Sequence, residues 1–318
     1  MIRKNQFIQD LKKDDIINDI FVVKFKKPVE PYKNGYKFEL RLGDSTKEIM
    51  YKFWGSQNED AVKIIYESIN KNDVVLIQGR VSEWRDVLEI AANDQHTIKI
   101  LSPGEYDVSD FVRKTKYDIE QMWVALMQYL DSVTDSEIKK VLEHFFKNSE
   151  FAERFKISPA AMYIHHGWIG GLLEHTLSVV KIIDGIHKVH PTLNRDLMIA
   201  GAMIHDIGKL DEFEVTTNIR PSKRGMLVGH VTIGIDMLER SMDKIETPED
   251  LRLKLIHMLL THMGEYGSSK TPSFPEALAV FYADQTDARI TQIKTLVEGA
   301  NTEDDSIYHK DFGNVFLE

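Results

Sequence analysis

The stretch GAMIHDIGKLDEF, residues 201–213, sets an imidazole and a carboxylate, His205 and Asp206, directly after the apolar run of residues 197–204. A charge in so apolar a setting is costly unless it is paired or bound to a cation. Other groups able to ligate metal fall on apolar helix faces. At helical spacing His175 shares a stripe with Gly171, Leu172, Val179 and Ile182. His262 shares one with Leu255, Met258 and Leu259, and Asp284 lies with Ala277, Val280, Phe281 and Ala288. His230 follows Gly229 at or near a helix start. One inward histidine is an ordinary core residue, and a lone His-Asp dipeptide says little. Together these imidazoles and carboxylates, spread over several helices, would be very costly to bury without a cation. A bound metal pair removes that cost. Imidazole and carboxylate without thiolate suit first-row divalent ions. His144, His187, His190 and His257 lack such apolar companions and are expected outside the cluster.

The elements that must position these groups come from a 318-residue chain, a length that allows about two domains. Hydrophobic content of 42% and charged content of 28% describe an ordinary globular protein. There is no cysteine, which excludes disulfides, thiolate zinc sites, iron–sulfur clusters and cysteine nucleophiles, and fits a reducing cytoplasm. The start has no apolar core of a secretory signal, and no apolar run approaches a membrane span. A cytoplasmic protein without membrane contact is expected. The net charge of −10 argues against nucleic acid at first sight, but its distribution is uneven. Residues 1–105 hold 17 basic and 17 acidic side chains, so all the excess acid lies beyond them, as do all histidines except His96.

The first hundred residues read as short β-rich runs separated by turn residues. In YKFELRL, Tyr36, Phe38, Leu40 and Leu42 take one face and Lys37, Glu39 and Arg41 the other. Residues 56–72 carry a helical pattern with Ala61, Ile64, Ile65 and Ile69 on one side. Three strands, a helix and two strands give the order of an OB-fold barrel. A linker is expected at 106–117, then an all-α domain over 118–300 and a solvated tail with a small apolar hook over 301–318. The fold class is therefore β plus α: an N-terminal OB-like barrel over 1–105, then helices. Thr247-Pro248-Glu249-Asp250 and Ser273-Phe274-Pro275-Glu276 carry helix-start signals. There is no internal repeat and no low-complexity tract.

The motifs GGLLEHT, HDIGK, GH and LLTHMGEYGS…PEALAVFYADQTDA stand in this order along the chain. They resemble the HD-domain metal-dependent phosphohydrolases in their two-metal form. With an OB-like barrel in front, residues 15–300 resemble the YhaM family of 3′→5′ exoribonucleases. The helical motifs are specific; the barrel rests on strand order. The resemblance implies divalent-metal-dependent trimming of single-stranded RNA from the 3′ end, releasing nucleoside monophosphates, commonly with Mn2+. Co2+, Fe2+, Ni2+ and Mg2+ are the other candidates. Single-stranded DNA remains open as a second substrate, since sugar selection needs a 2′-hydroxyl contact the sequence does not locate; homo-oligomerisation is open too. Two rivals stand beside this reading: a nucleotide or cyclic-dinucleotide phosphohydrolase with a regulatory barrel, and a single-strand-binding protein with an inactive helical domain.

Carried over residue by residue, the resemblance implies that His175, His205, Asp206 and Asp284 hold one metal. Asp206 bridges to a second, bound also by His230 and His262. Such a pair, about 3.5–4 Å apart, can share a carboxylate and activate water at neutral pH. Lys209, three residues after Asp206, is placed to contact a phosphate oxygen, although the helix dipole alone also favours a lysine near a C-terminus. His166, or else His165, could donate a proton to the leaving oxygen or hold a phosphate. Asp287, one turn past Asp284, could bond a ligand histidine from outside. Tyr266, Gly267 and Ser268, after His262, could meet the terminal nucleotide. In the barrel, cations interleave with aromatics, and Tyr36, Arg41, Trp54 and Trp84 are the candidate strand contacts; most such aromatics would otherwise fill the small core.

Overall fold

The computed structural model describes every residue except 163–165, 265–269, 301, 303 and 318. The chain divides into two compact units, Met1–Lys114 with Val215–Asn218, and Thr115–Glu214 with Ile219–Glu318.

The first unit contains β1 (Ile16–Tyr32), β2 (Gly35–Gly43), β3 (Glu48–Trp54), α1 (Glu59–Ser68), β4 (Val74–Trp84), β5 (Val87–Asn93) and β6 (Ile98–Leu101). The sheet runs β1-β2-β3-β5-β4-β6, and β4 pairs in addition with β1. The β3–β5 pairing is parallel. This is an OB-like arrangement, with the strand–helix–strand order the sequence implies and a sixth strand added on β4. One long strand makes it work: residues 16–22 of β1 pair with β4, and residues 22–32 with β2. Register shifts between Val23 and Phe25, and between Lys27 and Glu30, interrupt the β1–β2 ladder, as bulges that bend a strand do.

In β2 Phe38, Leu40 and Leu42 are fully buried and Arg41 points out, as the alternation predicts, whereas Glu39, expected on the outer face, is buried between Lys27 and Lys37. The stripe of α1 differs. Val62 and Ile69 are buried and Ile65 and Tyr66 partly so, whereas Ala61 and Ile64 face solvent. The series starting at Val62 adds Tyr66 to the apolar face, and that ring packs against Phe38 at 5.6 Å. Residues 106–114, expected in a linker, fold with this unit. Val108–Asp110 form a turn capped by the Asp107 side chain, and Phe111 is buried with Ile20, Val22, Val74 and Leu101. Ser102-Pro103-Gly104 just before it reads as the start of a linker and hides the two aromatics, Tyr106 and Phe111, that need cover.

The second unit contains α2 (Ile119–Asp131), α3 (Ser136–Phe146), α4 (Ser149–Ile157), α5 (Gly171–Val189), α6 (Arg195–Ile204), α7 (Lys209–Glu212), α8 (Lys223–Val228), α9 (His230–Lys244), α10 (Glu249–Thr261) and α11 (Pro275–Gly299). Two hairpins accompany them, β7–β8 (Phe213–Val215 and Ile219–Pro221) and β9–β10 (Ser306–His309 and Gly313–Phe316). The expected tail is thus a hairpin, whose Val315 is the apolar hook. Carboxylate and amide caps start several helices: Asp118 on α2, Asp135 on α3 and Asn194 on α6. The start signals before α10 and α11 act differently. Pro248 and Phe274 are the capping residues, and neither makes a side-chain cap. Glu276 instead accepts from the Asn194 N–H at 2.9 Å, tying α11 to the start of α6.

One continuous core joins α2, α3, α5, α6, α10 and α11, with α6 buried from Leu197 to Ile204. Among the described residues no helix is long and apolar enough to cross a membrane.

Candidate metal centre

The buried helix α6 delivers His205 and Asp206 into the interior. The chain then turns through residues 205–208 and restarts as α7 at Lys209. Gly208 permits this: a Cβ there would run into the backbone carbonyl of His230, where α9 begins. His175 comes from α5, Asp284 from α11, His262 from the end of α10 and His230 from the first position of α9. All six groups meet.

His175 Nε2 lies 3.1 Å from His205 Nε2, 3.1 Å from Asp284 Oδ1 and 3.5 Å from Asp206 Oδ2. His205 Nε2 is 3.3 Å from the same Asp206 oxygen. On the other side, Asp206 Oδ1 faces His230 Nε2 at 3.7 Å and His262 Nε2 at 3.5 Å. Two ligand sets result, His175–His205–Asp284 and Asp206–His230–His262, with the two oxygens of Asp206 turned one to each.

The outer nitrogens explain the orientation. His205 Nδ1 bonds the Ala202 carbonyl at 2.8 Å and His262 Nδ1 the Leu259 carbonyl at 2.6 Å. His175 Nδ1 bonds Asp287 Oδ2 at 2.7 Å, and His230 Nδ1 lies 3.1 Å from Glu212 Oε2. Carbonyls and carboxylates only accept, so each ring carries a proton on Nδ1 and turns Nε2 inward. Four Nε2 atoms and the carboxylates of Asp206 and Asp284 then face one another. Asp206 Oδ1 and His230 Nε2 are buried with no hydrogen-bond partner among the described residues. Asp206 Oδ2 has Lys209 Nζ at 2.6 Å, but outside hydrogen-bond angles. Converging, desolvated imidazole and carboxylate groups are what a cation requires, so the residues fit divalent metal.

Electrostatics agree. Burial pushes His175 down, but Asp284 and Asp287 overcome it and raise its pKa to about 9. Burial raises Asp206, and Lys209 and His205 outweigh it, holding the carboxyl well below its usual range. Asp284 is likewise lowered, by His175 against burial.

Lys209 is buried with its Nζ 2.6 Å from Asp206 Oδ2. Asp287 bonds His175 from the side away from the centre. His166, expected towards the substrate, is 2% exposed; its ring bonds Asp287 Oδ2 at 2.8 Å and packs against Trp168 and His175. His165, Tyr266, Gly267 and Ser268 lie outside the described residues. Glu212 was not legible in the sequence, since its partner His230 stands 18 residues on and no periodicity links them. Among the other histidines, His257 accepts from the Ser273 N–H and packs on Phe274, away from the centre.

In the first unit, Trp84 is 63% exposed at the β4–β5 turn, with the Arg85 guanidinium 5.7 Å from its ring. Arg41 is exposed and 3.9 Å from Glu48. Trp54 packs edge-on against Tyr32 at 4.9 Å with Lys37 over it at 5.1 Å, and Tyr36 packs partly buried on the core. Of the four, Trp84 presents its ring most openly.

The HD domain family matches residues 172–289. The 3′-5′ exoribonuclease YhaM of Shouchella clausii is 31% identical over 81% of this chain and 79% of its own length. The protein of the same name from a Geobacillus species is 29% identical over 83% and 80%. Among solved structures, the OB domain of Ta0387 from Thermoplasma acidophilum is 17% identical, covering 30% of this chain and 86% of that one at a TM-score of 0.25. With the HD motif spanning the metal-ligand cluster and relatives matched over four-fifths of its length, the chain belongs to the YhaM family of 3′-5′ exoribonucleases.

Proposed function

We propose that this chain hydrolyses single-stranded RNA from its 3′ end to nucleoside monophosphates, with two divalent cations at the HD centre. The observation that carries the reading is the convergence of four Nε2 atoms and Asp284 on both oxygens of Asp206, each imidazole fixed from behind. His175, His205 and Asp284 would hold one cation, His230 and His262 the other, and Asp206 both. Bound there, such cations supply Lewis-acid chemistry: activation of water and neutralisation of charge on a phosphate. Mn2+ is the proposed ion, on the strength of the family resemblance; the imidazole and carboxylate donors suit first-row divalent ions as a class.

The reaction adds water to the terminal phosphodiester. A bond forms from the water oxygen to phosphorus, the bond to the upstream 3′ oxygen breaks, and that oxygen takes up a proton. Lys209 brings a positive charge to the phosphate while balancing Asp206. The OB-like unit holds the strand, with Trp84 and Arg85 as its open stacking and cationic groups.

Exhaustive chelation should abolish hydrolysis of homopolymer RNA, and Mn2+ should restore it; activity surviving with no metal bound overturns the reading. A time course on 5′-labelled RNA should show progressive shortening of the labelled strand. Immediate release of a labelled mononucleotide would refute the polarity. Preference for free or cyclic nucleotides over RNA would move the enzyme to a different substrate class.

A further inference from the structure

Behind His175, on its Nδ1 side, runs a chain of buried polar groups. His175 Nδ1 and His166 Nε2 both bond the same atom, Asp287 Oδ2, at 2.7 and 2.8 Å. The other ring nitrogen of His166, Nδ1, faces Glu174 Oε1 at 3.6 Å. Glu174 is fixed in turn through its second oxygen, Oε2, which accepts from Thr115 Oγ1 at 2.6 Å and Trp168 Nε1 at 2.8 Å. The order is Glu174, His166, Asp287, His175.

A carboxylate oxygen accepting two ring N–H groups fixes both rings and its own rotamer. With His166 in place, Asp287 cannot turn away, and His175 keeps its proton on Nδ1 and its lone pair on Nε2. The backbone supports the same conclusion. His166 sits at φ 48°, in the left-handed region that disfavours a side chain. That conformation is held by the Ala160 N–H on the His166 carbonyl, and Gly171 leaves room beneath the carbonyl where a Cβ would collide. A glycine would take this φ freely; an imidazole there needs its ring to be used.

We propose that His166 and Glu174 are positioning residues, acting through Asp287 to fix the tautomer and orientation of His175 as a metal ligand. The proposal rests on the two-metal reading. Its test is Mn2+ binding by calorimetry to chelator-stripped protein, with thermal unfolding to verify the fold. Wild type should bind two ions. His166→Phe should weaken one ion about tenfold, the usual scale for loss of an outer hydrogen-bond partner, and leave the other unchanged. His166→Gln carries an amide N–H that can donate to Asp287, and should stay within about threefold of wild type. Glu174→Gln, which removes the charge facing His166, should fall between them. Equal weakening in the Phe and Gln variants of His166 would mean a packing role only and overturn the proposal. So would wild-type affinity for both ions in His166→Phe or, if that variant fails to fold, in Glu174→Gln. Wild type that binds no Mn2+ would sink the two-metal reading itself, whereas two ions bound by wild type and by every variant with equal affinity would sink only the positioning role.

Discussion

Each unit buries a cluster of charges, and the two clusters are resolved in opposite ways. In the OB-like unit Lys4, Asp19 and Asp44 are buried together. Lys4 Nζ donates to the Ile20 carbonyl at 2.7 Å and lies 3.7 and 3.6 Å from Asp19 and Asp44. Asp19 accepts from the N–H groups of Asn5, Gln6 and Ile20. Asp44 accepts from those of Ile8, Thr46 and Lys47. Backbone donors thus satisfy both carboxylates, and the N-terminal segment is pinned to the sheet. In the helical unit Asp206 has no backbone donor among the described residues, where one of its oxygens and a nitrogen of His230 stand without hydrogen-bond partners. A buried charge completed by its own chain is structural. One left incomplete by neighbours that are themselves rigidly held is a place for a ligand.

The sharpest way to break this contrast is to delete one carboxylate from each cluster. Asp206→Ala should lose both metals and at least about a thousandfold in hydrolysis, since it removes the ligand proposed to be shared. Metal content and turnover measured on the same sample decide; near-normal turnover would show that Asp206 is not shared. Asp44→Ala should do the reverse. It strands Lys4 beside only one carboxylate and leaves three N–H groups without their acceptor, a loss of about 3 kcal/mol in stability. Turnover per folded molecule should stay as in wild type. Denaturant unfolding with single-turnover assays separates the two outcomes, and an Asp44→Ala protein of unchanged stability would remove the structural half of the comparison.

The two clusters also differ in how far the sequence announces them. The helical one was legible because 3.6-residue periodicity fixes which side chains face inward, and a histidine on an apolar stripe is conspicuous. His175, His262 and Asp284 were placed in this way, and each is buried. Lys4, Asp19 and Asp44 were not, because their partners are backbone N–H groups brought together by strand pairing, which leaves no mark in residue types. Glu212 and Glu174 stayed hidden for the same reason: their partners come from other turns of the chain. His166 is buried although a polar stretch beside a ligand reads as exposed, since nothing in its spacing marks the contacts its ring makes with Asp287, Trp168 and His175. Strand order was readable from alternation, but β6 is a four-residue strand whose Ile98–Leu101 run is too short to carry a period.

A milder probe sharpens the comparison without mutation. A ligand that binds only the folded form stabilises it by mass action, by about 2.7 kcal/mol at a hundred times its dissociation constant. Mn2+ at that level should raise the unfolding midpoint reported by amide exchange in α5, α6 and α10. It should leave exchange in β1 and β4 unchanged where those strands open independently. The shift should vanish in Asp206→Ala and persist in Lys4→Met. A Mn2+ shift of equal size in Asp206→Ala would place the stabilising ion elsewhere.

The smallest expected effect is in pH, and here too the units part. Tyr51 is fully buried in the OB-like core, and burial raises its phenol above the ordinary value of 10. Its stability contribution is therefore complete below pH 10. It is lost as pH rises from there towards the folded pKa, because only the unfolded chain can ionise the phenol; one unit above 10 the loss is about 1.4 kcal/mol. In the helical unit Asp196 accepts from the Thr134 hydroxyl and from the N–H groups of Thr134 and Asp135. Although burial opposes them, these bonds lower its carboxyl below 3.8. Its contribution is present above pH 3.8 and is lost as pH falls through the lowered value, and solvent screening keeps it below about 1 kcal/mol. Tyr51→Phe should flatten the alkaline limb of stability while the acid limb keeps its slope. Asp196→Asn should flatten the acid limb and leave the alkaline one. Unfolding free energies across pH 2–11 for the two variants test this, and an alkaline limb unchanged in Tyr51→Phe would show that another group in the sheet controls it.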